Sequence, residues 1–425
     1  HLSIRRQRQM CIRDRGFETA DAEAIRQRVE QIIEAVRERG DEALLELTAR
    51  FDGCRLSAEQ LRVSEEEIEA SVRSLPKELV GALELAAQRV RRFQEAILLG
   101  DTGPIADGGR TLSLRYRPVD SAGVCVPGAS ASLASSVLMT VVPASAAGVR
   151  RIVMITPPQR DGTVSPDRLA AARIAGAHEI YRVSGAQGVA ALAFGTRTIA
   201  AVDLIVGPGN AYVTMAKRLV FGKVGIDMLA GPSEVSIIAD RTARADSVAA
   251  ELLSQAEHQG GTATLLTDYE PLVQAVLRDL EGELSALPHS SAARSNLAQT
   301  GAIILAPTLE GCAKLANRIA PEHLVIMTDA PDSTCEMIRH AGAIFVGHYA
   351  PVAVGDYVAG PSHCLPTGTT ARFSAGLTAN TFLKGSSLIR YSRQALEADA
   401  PPICRIAEAE RLPAHARSVQ IRLQQ

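Results

Sequence analysis

Asp203-Leu-Ile-Val-Gly-Pro-Gly-Asn-Ala-Tyr212 is the stretch that decides the fold. A short β-branched run, 203–206, ends in a Gly-Pro-Gly turn and gives way to a helical pattern over 211–221. That is the strand–turn–helix step from which parallel α/β sheets are built. The turn opens like the dinucleotide fingerprint GxGxxG, but Tyr212 stands where the third glycine belongs, so the standard fingerprint is absent. Two readings of the segment stay open: a tight turn, or a turn whose free N–H groups at the helix start receive an anion or a cofactor amide.

The same step recurs on both sides. Candidate strands fall at 112–117, 123–126, 151–156, 179–183, 203–206, 235–239, 262–267, 302–306, 324–327 and 343–346, most of them separated by Ala-rich helical pattern. Two dense blocks, 121–234 and 235–350, predict two doubly wound, incomplete Rossmann-like parallel-sheet domains rather than one large sheet. Before them the chain is helical: Ile25, Val29, Ile32, Ile33 and Val36 share a face, and Ser64-x-x-Glu67 is a capping box. Beyond about 373 the alternation is lost. The tail reads as loops and helix, ending in a strand-like 419–423.

Composition narrows the function. Lys and Arg total 45 against 47 Asp and Glu, a net charge of −2, which gives no electrostatic footprint for nucleic acid or an anionic membrane. Trp is absent and aromatics are 4%, so base-stacking platforms are not expected. The seven cysteines (11, 54, 125, 312, 335, 364, 404) include no CxxC pair, which argues against a disulfide framework and fits a reducing compartment. A bound metal is then expected to use N and O ligands. Residues 121–149 carry no charge, but Pro127, Pro143 and three glycines make a buried loop and helix the better reading than a membrane span. The first fifteen residues hold five Arg and one acid without an apolar run, so they are not a secretory signal.

Candidate chemistry collects in four places. Gln255 and His258, three residues apart near a helix end, share a face and could reach one ion; solvated polar residues are the plainer alternative. Glu322-His323 puts a carboxylate and an imidazole at one helix–strand junction, the ingredients of proton abstraction. The segment 347–368, with four Gly and three Pro, lacks the period of helix or strand and contains Asp356 and His363 as ligand or catalytic candidates. Glu410 and His415 lie in what reads as an ordinary helix.

Taken together and in order, these segments resemble the histidinol dehydrogenases from about residue 18 to Leu423. The resemblance is carried by Val126-Pro-Gly128, Gly185-Ala-Gln187, Gly207-Pro-Gly-Asn-Ala-Tyr-Val213, Val224-Gly-Ile-Asp-Met-Leu-Ala-Gly-Pro-Ser-Glu-Val235, Gln255-Ala-Glu-His258, Ala320-Pro-Glu-His-Leu324, Gly355-Asp-Tyr357, His363-Cys-Leu-Pro366 and Ala414-His415. It implies a cytoplasmic, NAD- and zinc-dependent oxidation of L-histidinol through L-histidinaldehyde to L-histidine, the last step of histidine biosynthesis, in a homodimer with shared active sites. Zinc is then expected on Gln255, His258, Asp356 and, from the other subunit, His415. Glu322 and His323 are the expected acid–base pair. Substrate contacts are expected at Ser233, His363 and Glu410 beside Gln255, His258, His323, Asp356 and His415, and NAD contacts at Cys125, Gln187 and Asn210. No nucleic acid or membrane partner is expected.

The implied organisation is a leader at 1–17 outside the family match, N-terminal helices and the start of domain 1 at 18–120, and an NAD-contacting domain 2 at 121–234. The rest of domain 1, with the zinc and catalytic loops, follows at 235–372, and a dimerisation tail at 373–425. This chain departs from the family pattern at Cys125, where an aromatic Tyr is usual, at Ser362, where Asn is usual, and at Gly385, where a basic residue is usual. The alternatives are a paralogue oxidising another polar alcohol, such as a sulfonated diol, and a zinc hydrolase or metal-binding protein with no use for Gln187, Asn210 or the Glu322-His323 pair.

Overall fold

The computed structural model describes residues 20–128, 133–258, 260–286 and 291–424; the leader falls outside them. By contacts the chain forms two compact units, the larger containing Asp120–Phe382 with the N-terminal helices and the smaller Ile97–Val119 with Leu383–Gln425.

The larger unit holds two five-stranded, all-parallel sheets. In the first, Ser121–Cys125 is central, flanked on one side by Arg151–Thr156 and Glu179–Arg182 and on the other by Leu204–Val206 and Gly225–Ile226. In the second, Glu234–Ala239 is flanked by Thr262–Thr267 and Ala302–Leu305 on one side and by His323–Met327 and Ala343–Val346 on the other. Numbered by appearance within each sheet, both have the order 3-2-1-4-5 of a doubly wound fold, which puts a crevice beside the first strand. The central strands are buried along nearly their whole length, as strands covered by helices on both faces must be. The two expected sheets are therefore present and hold nine of the ten expected strands; the tenth, 112–117, lies in the smaller unit, and Gly225–Ile226 was not expected.

Helix Ala20–Arg39 buries Val29, Ile32 and Val36 against the first sheet's helices. Ser64 Oγ accepts the Glu67 N–H at 3.2 Å, as the capping box predicts. No helix among the described residues is long and apolar enough to cross a membrane; the charge-free stretch instead holds the buried helix Ala134–Ala146. In the smaller unit Arg110–Pro118 pairs antiparallel with Ile105–Asp107 and with Leu383–Tyr391, and two helices follow, Arg393–Ala409 and Pro413–Leu423.

Three expectations are corrected. Residues 419–423 are helical, not strand-like, because Val419, Ile421 and Leu423 continue the helix begun at Pro413. Residues 383–391 are a strand, although their mostly exposed side chains show no alternation; backbone pairing with 110–118 makes it. The irregular segment 347–368 contains one short helix, Val352–Tyr357.

The crevices of the two sheets are treated differently. In the first, Gly207 turns the chain beside the end of the central strand. Its φ is +105°, and a Cβ there would lie 2.4 Å from the Cys125 carbonyl oxygen, so only glycine fits. In the second, Asp240, the residue after the central strand, bridges the crevice, accepting from Thr242 N and Oγ1 at 2.8 and 2.6 Å and from Asp329 N at 2.8 Å.

Candidate active site

The C-terminal edge of the first sheet opens into a cavity of about 570 Å³. Cys125, Gln187 and Asn210, expected as cofactor contacts from three separate motifs, all line it. Asn210 caps helix Ala211–Val220, its Oδ1 accepting from Tyr212 N and Val213 N at 3.0 and 3.1 Å. Gln187 is buried, and its Nε2 has no protein partner. A buried amide donor left unspent beside a cavity is costly unless a ligand answers it. Cys125 contributes no charge, because burial pushes its thiol up to about 12.

Behind this cavity the Gly207 peptide is clamped at both ends. Its N–H donates to Asp227 Oδ2 at 2.8 Å, and its carbonyl accepts from Lys217 Nζ at 3.0 Å. Lys217 and Asp227 also pair with each other, both almost fully buried. Neither residue was foreseen, although Lys217 on the apolar face of Val213, Ala216 and Val220 is itself a signal of a buried partner.

The second cluster lies at the opposite, N-terminal edge of the second sheet, where His323 sits in register with Val235 on the neighbouring strand. Helix Leu309–Ile319 ends on Ala320 in the left-handed conformation (φ 48°), which turns the chain into Pro321-Glu322-His323. Glu322 Oε2 accepts from Ser233 Oγ at 2.6 Å and Glu234 N at 2.9 Å. Burial nevertheless pushes its carboxyl up to about 7, with the nearby charge of Asp356 adding to the rise. His323 Nδ1 donates to the Glu234 carbonyl at 3.1 Å and lies 3.6 Å from Glu322 Oε2. A carbonyl partner fixes the proton on Nδ1. Nε2 is therefore the lone-pair nitrogen, and it is buried with no protein partner. Burial also lowers the His323 pKa, keeping the ring neutral and basic in form. This is the arrangement a proton acceptor needs.

Asp356 is carried by helix Val352–Tyr357, which lies on Phe345. A Cβ at Gly355 would meet that ring at 2.7 Å, and the ring's centroid is 5.9 Å from that of His323. Phe345 is thus a common floor for both. Burial raises the Asp356 carboxyl, with His323 and His258 pulling it the other way. His363 Nδ1 donates to the Asp356 carbonyl at 3.2 Å, and its Nε2 accepts from Ser136 Oγ at 3.2 Å. Both ring nitrogens are engaged, and burial takes the ring's pKa down to about 4. Ser136, 227 residues away in sequence, carried no signal of this role.

Gln255 ends helix Ala245–Ala256 with its Nε2 buried and unpartnered among protein groups. The chain beyond it is braced by Asn296 Nδ2, which donates to the Ala256 and His258 carbonyls at 2.9 Å each. Among the described residues no group of three or more His, Cys, Asp or Glu side chains is placed to hold a metal ion. The open set of amide, imidazole and carboxylate, with one buried amide still unspent, fits a zinc ion that takes a further ligand from elsewhere. His415, expected as the further zinc ligand, and Glu410, expected at the substrate, lie in the smaller unit, both exposed.

Comparison with known proteins identifies the family. The family model described as histidinol dehydrogenase matches residues 17–423. The histidinol dehydrogenase of Prochlorococcus marinus is 45% identical over 97% of this chain and 96% of its own length, and that of a Synechococcus strain is 48% identical over 93% and 92%. The crystal structure of histidinol dehydrogenase from Elizabethkingia anophelis, 36% identical, superposes with a TM-score of 0.90 over 94% of this chain and 92% of that one. This chain belongs to the histidinol dehydrogenase family.

Proposed function

We propose that this chain oxidises L-histidinol through L-histidinaldehyde to L-histidine, consuming two NAD and one water. The observation that carries the reading is the neutral His323, its unpartnered Nε2 buried beside a Glu322 carboxyl pushed up to about 7. When bound, NAD supplies the hydride acceptor, and zinc supplies an anchor for the amine and imidazole of the substrate. Cys125, Gln187 and Asn210 would hold the dinucleotide. Gln255, His258 and Asp356 would hold zinc, joined by His415 from the second subunit of a cytoplasmic homodimer.

His323 Nε2 takes the proton of the substrate hydroxyl, and the Glu234 carbonyl steadies the imidazolium that results through Nδ1–H. Glu322, deprotonated, takes a proton from the water that hydrates the aldehyde, while Ser233 and Glu234 N hold its other oxygen. Ser233 therefore acts on substrate chemistry through Glu322. His363 meets the substrate by exchanging its Ser136 hydrogen bond, and Glu410 pairs with the substrate's ammonium group. The family's usual Tyr is replaced by Cys125, so an aromatic contact to the dinucleotide is missing and a weaker hold on NAD is expected.

The test is an assay with zinc and NAD. L-Histidinol should yield two reduced dinucleotides per histidine, whereas turnover of other alcohols with none of histidinol overturns the substrate assignment. His258→Ala and Asp356→Ala should each lose zinc and turnover together.

A further inference from the structure

We propose that Glu251 is a positioning residue for the metal centre, setting the spacing between the helix that ends in Gln255 and the helix that carries Asp356. The inference rests on the zinc reading given above. Glu251 lies on helix Ala245–Ala256, four residues before Gln255, and its Oε2 accepts the backbone N–H of Val352 at 3.1 Å. Val352 opens helix Val352–Tyr357, four residues before Asp356. One helical turn behind each expected ligand, the two helices are therefore joined by a single carboxylate–amide hydrogen bond. Val352 also packs into the apolar cluster of Val248 and Leu252, so the clamp is set in a rigid wall.

A plain capping role is the weaker explanation. Glu251 is only 8% exposed, and no cation pairs with it among the described ion pairs. Burial pushes its carboxyl up, and the nearby charge of Asp356 adds to the rise. A buried acid beside another acid is an unfavourable way to cap a six-residue helix. Its placement is accounted for if the bond fixes where Asp356 stands relative to Gln255, as groups behind metal ligands generally do.

The experiment measures zinc affinity of the full-length protein by chelator competition, with circular dichroism as a check of folding. Glu251→Ala removes the acceptor and should weaken zinc binding by about 10- to 100-fold. Glu251→Gln keeps an acceptor oxygen and should stay within about threefold of wild type, a rescue that follows from the neutral hydrogen bond it retains. Val352→Pro deletes the donor from the other side at the first helical position, where proline is tolerated, and should match Glu251→Ala. Should Glu251→Ala fail to fold, Val352→Pro and Glu251→Gln decide the matter. Wild-type affinity in folded Glu251→Ala or Val352→Pro overturns the proposal, as does a Glu251→Gln variant that loses zinc. If His258→Ala loses zinc while Glu251→Ala does not, only this inference fails. If neither variant loses zinc, the zinc reading fails and takes the inference with it.

Discussion

Replacing Lys217 by Met tests whether the Gly207 turn is held by a buried charge pair. Lys217 and Asp227 are each 2% exposed, so the substitution leaves a carboxylate buried without its cation. Breaking such a pair from one side costs about 3–5 kcal/mol. Asp227 keeps two backbone donors, Gly207 N at 2.8 Å and Met228 N at 2.6 Å, which sets the charge penalty at the lower end, about 3 kcal/mol. The Gly207 carbonyl also loses its Lys217 donor, adding about 1 kcal/mol. The total of about 4 kcal/mol corresponds to a melting temperature lower by about 5 °C for a unit as large as the one containing Lys217, at an unfolding entropy of about 2.1 cal/mol/K per residue. Differential scanning calorimetry of wild type, Lys217→Met and Lys217→Met/Asp227→Asn at pH 7 measures it. The neutral double variant should recover at least half the loss, because the stranded charge is gone while Asn still accepts one N–H. A single variant within 2 °C of wild type, or a double variant no better than the single, refutes the account. The single variant should also raise KM for NAD more than it lowers kcat, since the clamp holds the turn that leads into Asn210.

His323→Ala should retain zinc and the fold but lose most turnover with histidinol; a wild-type rate in steady-state assays would remove it as the base. Glu322 has a folded pKa of about 7, above the ordinary carboxylate value, so the folded state binds the extra proton and stability falls as pH rises from about 4.5 to 7. Glu322→Gln should therefore melt with wild type at pH 4, melt higher at pH 8, and fail to hydrate the aldehyde; thermal scans at both pH values check the sign. Gly355→Ala would ordinarily favour a helix by about 1 kcal/mol. Here the Cβ meets the Phe345 ring at 2.7 Å, so overpacking of about 1–3 kcal/mol should prevail, with weaker zinc retention; a variant more stable than wild type in urea would contradict that contact.

The sheets were legible because their inner strands are covered on two faces, and burial prints itself as apolar runs such as Arg151–Thr156 and His323–Met327. Elements made by other means left no such print. Leu383–Tyr391 is a strand through backbone pairing alone, and helix Pro413–Leu423 buries only Ala416, so its alternating Val419, Ile421 and Leu423 read as strand. At the site the reactive types were visible in the motifs, and the structure gathers them into two bonded groups, Ser233–Glu322–His323 and Asp356–His363, near enough for the Asp356 charge to act on Glu322 and His323. Their supports were not visible: Ser136 against His363, Phe345 beneath His323, and Glu251 behind Asp356 are side-chain meetings across long stretches of chain that no local pattern encodes.

Asp240 gives the proposed reaction a temporal order. In the second sheet it occupies the place where a doubly wound fold offers free amides to phosphate, and the amides of Thr242 and Asp329 are already committed to it. A dinucleotide arriving there meets a fixed negative charge and no donors from these two residues. On the proposed reading both molecules of NAD would use the first sheet's cavity, one after the other. Through that exchange the half-oxidised aldehyde has to be retained by groups that do not move with the dinucleotide. On the proposed reading Glu322, His323 and Asp356, which would act on the aldehyde, belong to the second sheet and its loops, whereas Cys125, Gln187 and Asn210, which would hold the dinucleotide, belong to the first.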